Sequence, residues 1–177
     1  SIRPLIEMTG HAWFNEVFFD DVRIPIRNVV GEINNGWDIV ITTLSVERGS
    51  SSQHARLAAD LDLLIRAARE TPRGSGRASD DPRVRQKLAG FAAEVMVMKM
   101  SVYRNAWAIQ EQGLPGPEGS TLKVVWSELD QRLKAAAIEI LGPRALVGVD
   151  DPLALDDGYW AYEALWSRAA TIYAGTS

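Results

Sequence analysis

Cysteine is absent from the 177 residues, which excludes disulfides and thiolate metal sites and fits a reducing cytoplasm. Histidine is nearly absent: His11 and His54 are the only two, and neither belongs to a Glu-x-x-His pair. A zinc site or a di-iron site inside a helical bundle therefore lacks its usual ligands. No G-x-G-x-x-G turn and no P-loop lysine motif occurs, so nucleotide binding through either device is unsupported. No apolar run approaches the roughly 18–20 residues that cross a bilayer, and Arg3 and Glu7 interrupt the start where a signal peptide would need an apolar block. An excess of positive charge is missing too. The formal net charge is −4, which argues against a nucleic-acid surface as the main function.

What is present is ordinary for a globular chain: 46% hydrophobic and 24% charged residues, enough for one domain with a core. Residues 14–19, Phe-Asn-Glu-Val-Phe-Phe, read as a strand bounded by Asp20-Asp21 and Pro25. Residues 28–36 hold Gly31, Asn34, Asn35 and Gly36 and read as a turn region. A long helix is expected over 37–69, with Leu44, Leu57, Leu61, Leu64 and Ala68 on one face and a weak point at Gly49-Ser50-Ser51-Ser52. Asp81 followed by Pro82 is an N-cap with proline at the first helical position. It opens a helix over 82–112 whose inner face is Val84, Leu88, Phe91, Val95, Met98 and Val102. A third helix over 118–141 carries Leu122, Val125, Trp126, Leu129, Leu133, Ala136 and Ile140. A last one over 156–173 carries Trp160, Ala164, Leu165 and Ile172. The tryptophans at 126, 160 and 166 are expected in the core or an interface, and His54 on a helix surface or in packing.

The pattern predicts an all-α, up-down four-helix bundle preceded by a short β-strand remnant. By itself it fits a scaffold, a ferritin-like shell or an enzyme domain equally. Both ends read as internal to a longer protein. The chain starts at Ser1 with no visible partner for Arg3-Pro4-Leu5, and stops at Thr176-Ser177 directly after an apolar helix-like run.

Four ordered segments point further. They are Phe-Asn-Glu-Val-Phe-Phe-Asp-Asp-Val-Arg-Ile-Pro at 14–25, Asn-Val-Val-Gly-Glu at 28–32 with Asn-Gly-Trp at 35–37, Leu-Ser-Val-Glu-Arg-Gly at 44–49, and Ala-Thr-Ile-Tyr-Ala-Gly-Thr-Ser at 170–177. In this order they resemble the acyl-CoA dehydrogenase family, from the last strand of its middle β domain through its C-terminal helical domain. The resemblance implies that residues 1–30 are β-domain remnant and linker and residues 31–177 the four-helix domain. It implies noncovalent FAD, an acyl-CoA substrate, an electron-transfer flavoprotein as acceptor, and assembly as a homo- or hetero-oligomer, with no nucleic-acid partner and no membrane span. In the family a carboxylate removes the α proton of the thioester while the flavin N5 accepts the β hydride.

The same resemblance distributes roles. Many members place the base just before the terminal Gly-Thr, where this chain has Ala174, which cannot accept a proton. A second family location lies before an arginine on the first long helix, and Glu47-Arg48 matches it. Glu47 is therefore the expected base, with Arg48 orienting it or holding substrate; without the resemblance the pair reads as surface charge. Arg69 and Thr71 match residues that reach the flavin pyrophosphate from a neighbouring subunit, with Pro72 replacing a phenylalanine and Arg73 and Arg77 nearby as alternatives. Gly142 matches a flavin-adenosine position, flanked by the departures Glu139 and Pro143, and Thr176 matches a residue near the flavin. Those departures leave open a second reading, a structural subunit of a mixed tetramer that binds flavin poorly. Residues 1–177 alone are expected to be inactive.

Overall fold

Asp81 and Pro82 start the most sharply capped element. The Asp81 carboxylate accepts the Arg83 backbone N–H at 2.8 Å, and Pro82 occupies the position whose N–H would have no partner. The helix runs over Pro82–Gln112 and stops at Gly113, which takes φ 79° and donates its N–H to the Ile109 carbonyl. In this computed structural model, which describes residues 1–48, 52–113 and 116–175, that element is α3. The others are α1 (Gly36–Arg48), α2 (Gln53–Glu70), α4 (Glu118–Leu141) and α5 (Tyr159–Ala170). Side chains of residues 45–48 lie outside the description.

Helices α2 to α5 form the bundle. The apolar face expected on α3 is buried along its whole length, from Val84 to Val102. Leu57 and Leu64 of α2, Leu129 and Leu133 of α4 and Trp160 of α5 are fully buried against one another and supply the centre. Each such side chain contributes about 1.5–3 kcal/mol from area alone. Helix α1 touches the bundle through α4 and leaves Trp37, Val40 and Ile41 exposed.

Several expectations change. Residues 49–51 lie outside the described residues, and the stretch expected over 37–69 is described as α1 and α2 on either side of them. The segment 2–5 does have a partner. Ile2–Leu5 (β1) pairs antiparallel with Phe14–Val17 (β2), Ile2 opposite Val17 and Leu5 opposite Phe14. The loop between them closes on the Glu7 carboxylate, which accepts the Trp13 N–H at 2.8 Å and the Thr9 hydroxyl at 3.3 Å. The polar loop after α2 contains a small hairpin, Pro72–Arg73 (β3) with Gly76–Arg77 (β4).

Helix α5 begins later than 156 because Asp156, Asp157 and Gly158 all hold positive φ. Asp156 is fixed there by accepting the Trp160 indole N–H at 2.6 Å. Gly158 passes so close to the chain at 148–149 that a Cβ would stand 2.5 Å from the Val149 nitrogen. Val125, Leu165 and Ile172, expected inside, are exposed. Among the described residues no helix is long and apolar enough to cross a membrane.

Leu133→Ala should cost about 2–5 kcal/mol, since the hole it leaves is walled by helices that cannot close over it. Thermal unfolding of the intact protein measures this; a change under about 1 kcal/mol would mean the centre is packed otherwise.

Candidate functional site

Two places concentrate polar chemistry: a charged cluster inside the bundle and a groove at one end of it. The cluster arises from three i,i+4 pairs, each on one face of its helix: Arg56 and Asp60 on α2, Asp130 and Lys134 on α4, Tyr159 and Glu163 on α5. Lys134 is fully buried and its Nζ donates to Asp60 Oδ2. Asp60 Oδ1 accepts the Tyr159 hydroxyl at 2.5 Å. One turn away Arg56 pairs with Glu163. Asp130 Oδ1 stands 3.3 Å from Lys134 Nζ but accepts no hydrogen bond.

Burial sets the electrostatics. It pushes the Tyr159 hydroxyl far up, and the Asp60 carboxylate it donates to adds to this, so the phenol keeps its proton. It pushes the Glu163 carboxyl up against the opposing pull of Arg56 and Lys134. Burial works against the Arg56 charge, but Glu163, Asp130 and Asp60 together raise its affinity for the proton.

The groove joins segments about 70 residues apart in sequence, the end of α2 with β3 and the end of α4 with the turn after it, and Leu155 and Asp156 ahead of α5 add a third wall. Its volume is about 740 Å³, and Arg66, Glu70, Thr71, Pro72, Pro143 and Arg144 are among its walls. Thr71 is held at the helix end: its hydroxyl donates to the Ala67 carbonyl at 2.8 Å and its own carbonyl accepts the Ala78 N–H at 2.9 Å. Arg144 donates from Nε to the Leu153 carbonyl at 3.1 Å. Gly142 ends α4 with φ 77° and ψ −162°, and nothing lies within 4 Å of where its Cβ would stand.

The sequence-derived candidates fall as follows. Thr71 lines the groove beside the segment that follows Gly142. Arg69 is exposed on the last turn of α2 and makes no hydrogen bond or ion pair among the described residues. Arg73 and Arg77 are engaged, Arg73 with Asp81 at 3.4 Å and Arg77 with the Glu70 carbonyl at 2.9 Å. Glu139 pairs with Lys87 at 2.7 Å. Glu47 and Arg48 occupy the last turn of α1 by their backbone, with their side chains outside the description. Thr176 lies outside the described residues.

Trp126 and Trp160 are buried as expected, and Trp166 stacks between Phe14 of β2 and Tyr162 at 6.2 and 6.3 Å. The half-buried His54 meets Tyr103 edge-on at 6.1 Å. Among the described residues no cluster of histidine and carboxylate side chains could hold a metal. Sequence reasoning missed the charged cluster. Its signal was the spacing of Asp60 between Leu57 and Leu64, and of Lys134 between Leu133 and Ala137. It also missed Arg66 and Arg144, the cations of the groove.

The architecture is thus a helical bundle domain with a groove at one end whose walls include two arginines. The chain belongs to the acyl-CoA dehydrogenase family: residues 34–177 match the family's description "Acyl-CoA dehydrogenase, C-terminal domain". It is 32% identical over 180 residues to acyl-CoA dehydrogenase IpdE1 of Mycobacterium tuberculosis, covering 99% of this chain and 43% of that protein. It is 29% identical over 167 residues to the caffeyl-CoA reductase-Etf complex subunit CarC of Acetobacterium woodii, covering 92% of this chain and 41% of that protein. Among solved structures, the ChsE4-ChsE5 complex of Mycobacterium tuberculosis matches with a TM-score of 0.85 at 29% identity, over 99% of this chain and 45% of that one. The chain therefore spans under half the length of these relatives.

Tyr159→Phe removes the donor to Asp60 Oδ1 and should cost about 1–3 kcal/mol, because the carboxylate oxygen loses its partner in a buried place. Chemical denaturation of the intact protein measures it; no loss would mean that this contact does not carry the cluster.

Proposed function

We propose that the chain is the helical portion of an FAD-dependent acyl-CoA dehydrogenase in which Glu47 removes the α proton of an acyl-CoA thioester. The observation that carries the reading is family membership over 34–177 together with Glu47-Arg48 in the last turn of α1, where the family has its alternative base. Ala174, at the commoner location, offers no proton acceptor. Glu47 takes the α proton onto its carboxylate; a glutamate in a dry site is a stronger base than one in water. Arg48 beside it orients that carboxylate or the thioester end. FAD, when bound, supplies the acceptor for the β hydride, so that the substrate leaves with a new α,β double bond.

The residues present fit the cofactor's diphosphate end. Arg66 and Arg144 bring guanidinium groups to the groove, where Glu70 and Asp156 also stand, and Arg69, next to Glu70 in sequence, is exposed. Thr71, Gly142 and Thr176 complete the proposed flavin-facing set. An electron-transfer flavoprotein as acceptor is supported by the CarC relative, whose name places it in an Etf complex. A cytoplasmic location fits the absence of cysteine. Residues 1–30 are proposed to belong to a β domain. The exposed cross-strand pair Ile2 (70%) and Val17 (50%) supports this, since a two-stranded hairpin with exposed apolar side chains needs cover.

In the intact protein, Glu47→Gln should lower turnover of its acyl-CoA substrate by at least about 100-fold, the usual worth of a general base, while flavin content stays unchanged. Steady-state assay with an artificial electron acceptor measures this. Turnover within a few-fold of wild type would eliminate Glu47.

One observation favours a second reading, a subunit of a mixed assembly that binds flavin poorly. Pro72 and Pro143 remove two backbone N–H donors from the groove wall. The ChsE4-ChsE5 relative is described as a complex of two differently named chains. Flavin stoichiometry in the purified intact protein separates the two: one FAD per chain supports the first reading, and a colourless chain the second.

A further inference from the structure

The six side chains of the charged cluster do not balance in charge. Arg56 and Lys134 bring two positive charges; Asp60, Asp130 and Glu163 bring three negative ones. Two of the carboxylates have donors of their own. Glu163 receives the Arg56 guanidinium, and Asp60 receives both Lys134 and the Tyr159 hydroxyl. Asp130 is the remainder. It is 3% exposed, and its Oδ1 has no hydrogen-bond partner although Lys134 Nζ stands 3.3 Å away. Two cations against three carboxylates leave one negative charge in excess at this depth, and a carboxyl so placed neutralises by binding a proton.

We propose that Asp130 is a proton-binding site: its carboxyl holds one proton taken from solvent while α2, α4 and α5 are packed, and losing it at rising pH loosens their junction. The groups that face it are Lys134 on its own helix, Arg56 and Asp60 from α2, Glu163 and Tyr159 from α5, and Tyr173 just beyond α5. Burial pushes the Asp130 carboxyl up, Lys134 and Arg56 pull it down, Asp60 pushes it up again, and the balance is upward. Half-exposed Arg56 brings the outer side of the cluster to solvent.

The junction matters because it holds both ends of the chain's chemistry. Helix α2 follows the segment that bears Glu47, and α5 leads into Tyr173, whose ring packs against Trp126 at 6.2 Å, and then to residues 174–175. The proton site itself does not depend on the acyl-CoA reading.

The sign is fixed by linkage. A carboxyl whose folded proton affinity exceeds the unfolded one stabilises fully below the unfolded range, and that stability is lost as pH rises through the folded pKa. The test is the melting temperature of the intact protein, wild type against Asp130→Asn, from about pH 4 to about pH 9. Asparagine mimics the neutral carboxyl. The wild type should fall away from the variant as pH rises, the two curves parting by one bound proton. Parallel curves across the whole range would overturn the proposal.

If Asp130→Asn does not fold, Asp60→Asn serves. It frees Lys134 for Asp130, and the pH-dependent loss should disappear; a persisting loss overturns the proposal. Infrared spectroscopy of the wild type adds an independent readout. The carbonyl band of a buried protonated carboxyl should persist above the pH at which exposed carboxyls ionise and vanish at the alkaline end. Loss of the whole band together with the exposed carboxyls also overturns the proposal.

Discussion

A lysine with no exposed surface is the constraint around which this domain is arranged. Taking the Lys134 ammonium out of water costs several kcal/mol, and Asp60 on α2 is the carboxylate placed to offset that cost, with the Asp130 carboxyl one turn back on α4 beside it. Tyr159 of α5 joins through Asp60, and Arg56 with Glu163 repeats the α2–α5 link one turn along. An apolar face tolerates sliding by a turn, because leucine meets leucine in either register. A buried charge does not, because a slip of one turn strands it. The hydrophobic centre of Leu57, Leu64, Leu129, Leu133 and Trp160 supplies most of the driving force. The ion pair selects the one register in which those side chains meet.

That register has consequences at both ends of the bundle. With α2 and α4 locked, Thr71 and Pro72 come to face the turn after Gly142, and the groove forms between them. With α5 locked against α2 and α4, the chain beyond it is led along α4, where Tyr173 meets Trp126 and Lys123 binds the Gly175 carbonyl. The proposed cofactor wall and the proposed flavin-adjacent tail are therefore positioned by the same buried polar contacts. Acyl-CoA dehydrogenases share this fold, and the solved relative in the ChsE4-ChsE5 complex overlays on 99% of the chain.

Much of this was legible in the sequence. The cap at Asp81-Pro82 and the stop at Gly113 bounded α3 as the structure has it, and the apolar spacing of α3 named its buried face. Helix α4 was equally legible between Glu118 and Gly142. Elsewhere local signals were too weak. Asp156 and Asp157 look like a helix start, yet both adopt left-handed backbone, which aspartate tolerates better than most residues. Strand β1 is four residues long and contains a proline, so only its pairing with β2 reveals it. Asp60 and Lys134 offered only their spacing among buried apolar residues, and a charged residue is taken as surface until tertiary contacts show a partner. The segments around Thr71 and Gly142 stood out separately through the family resemblance, but nothing local told that they meet in a groove, and the arginines of its wall carried no local signature.

The central claim, that a buried ion pair sets the packing of α2, α4 and α5, is tested most directly by a double-mutant cycle on Asp60 and Lys134 in the intact protein. Asp60→Asn, Lys134→Met and the double variant would be compared by chemical denaturation. The account predicts that the double variant is far less damaged than the sum of the singles, a coupling of at least about 2 kcal/mol. Losses that add to within about 0.5 kcal/mol would contradict it.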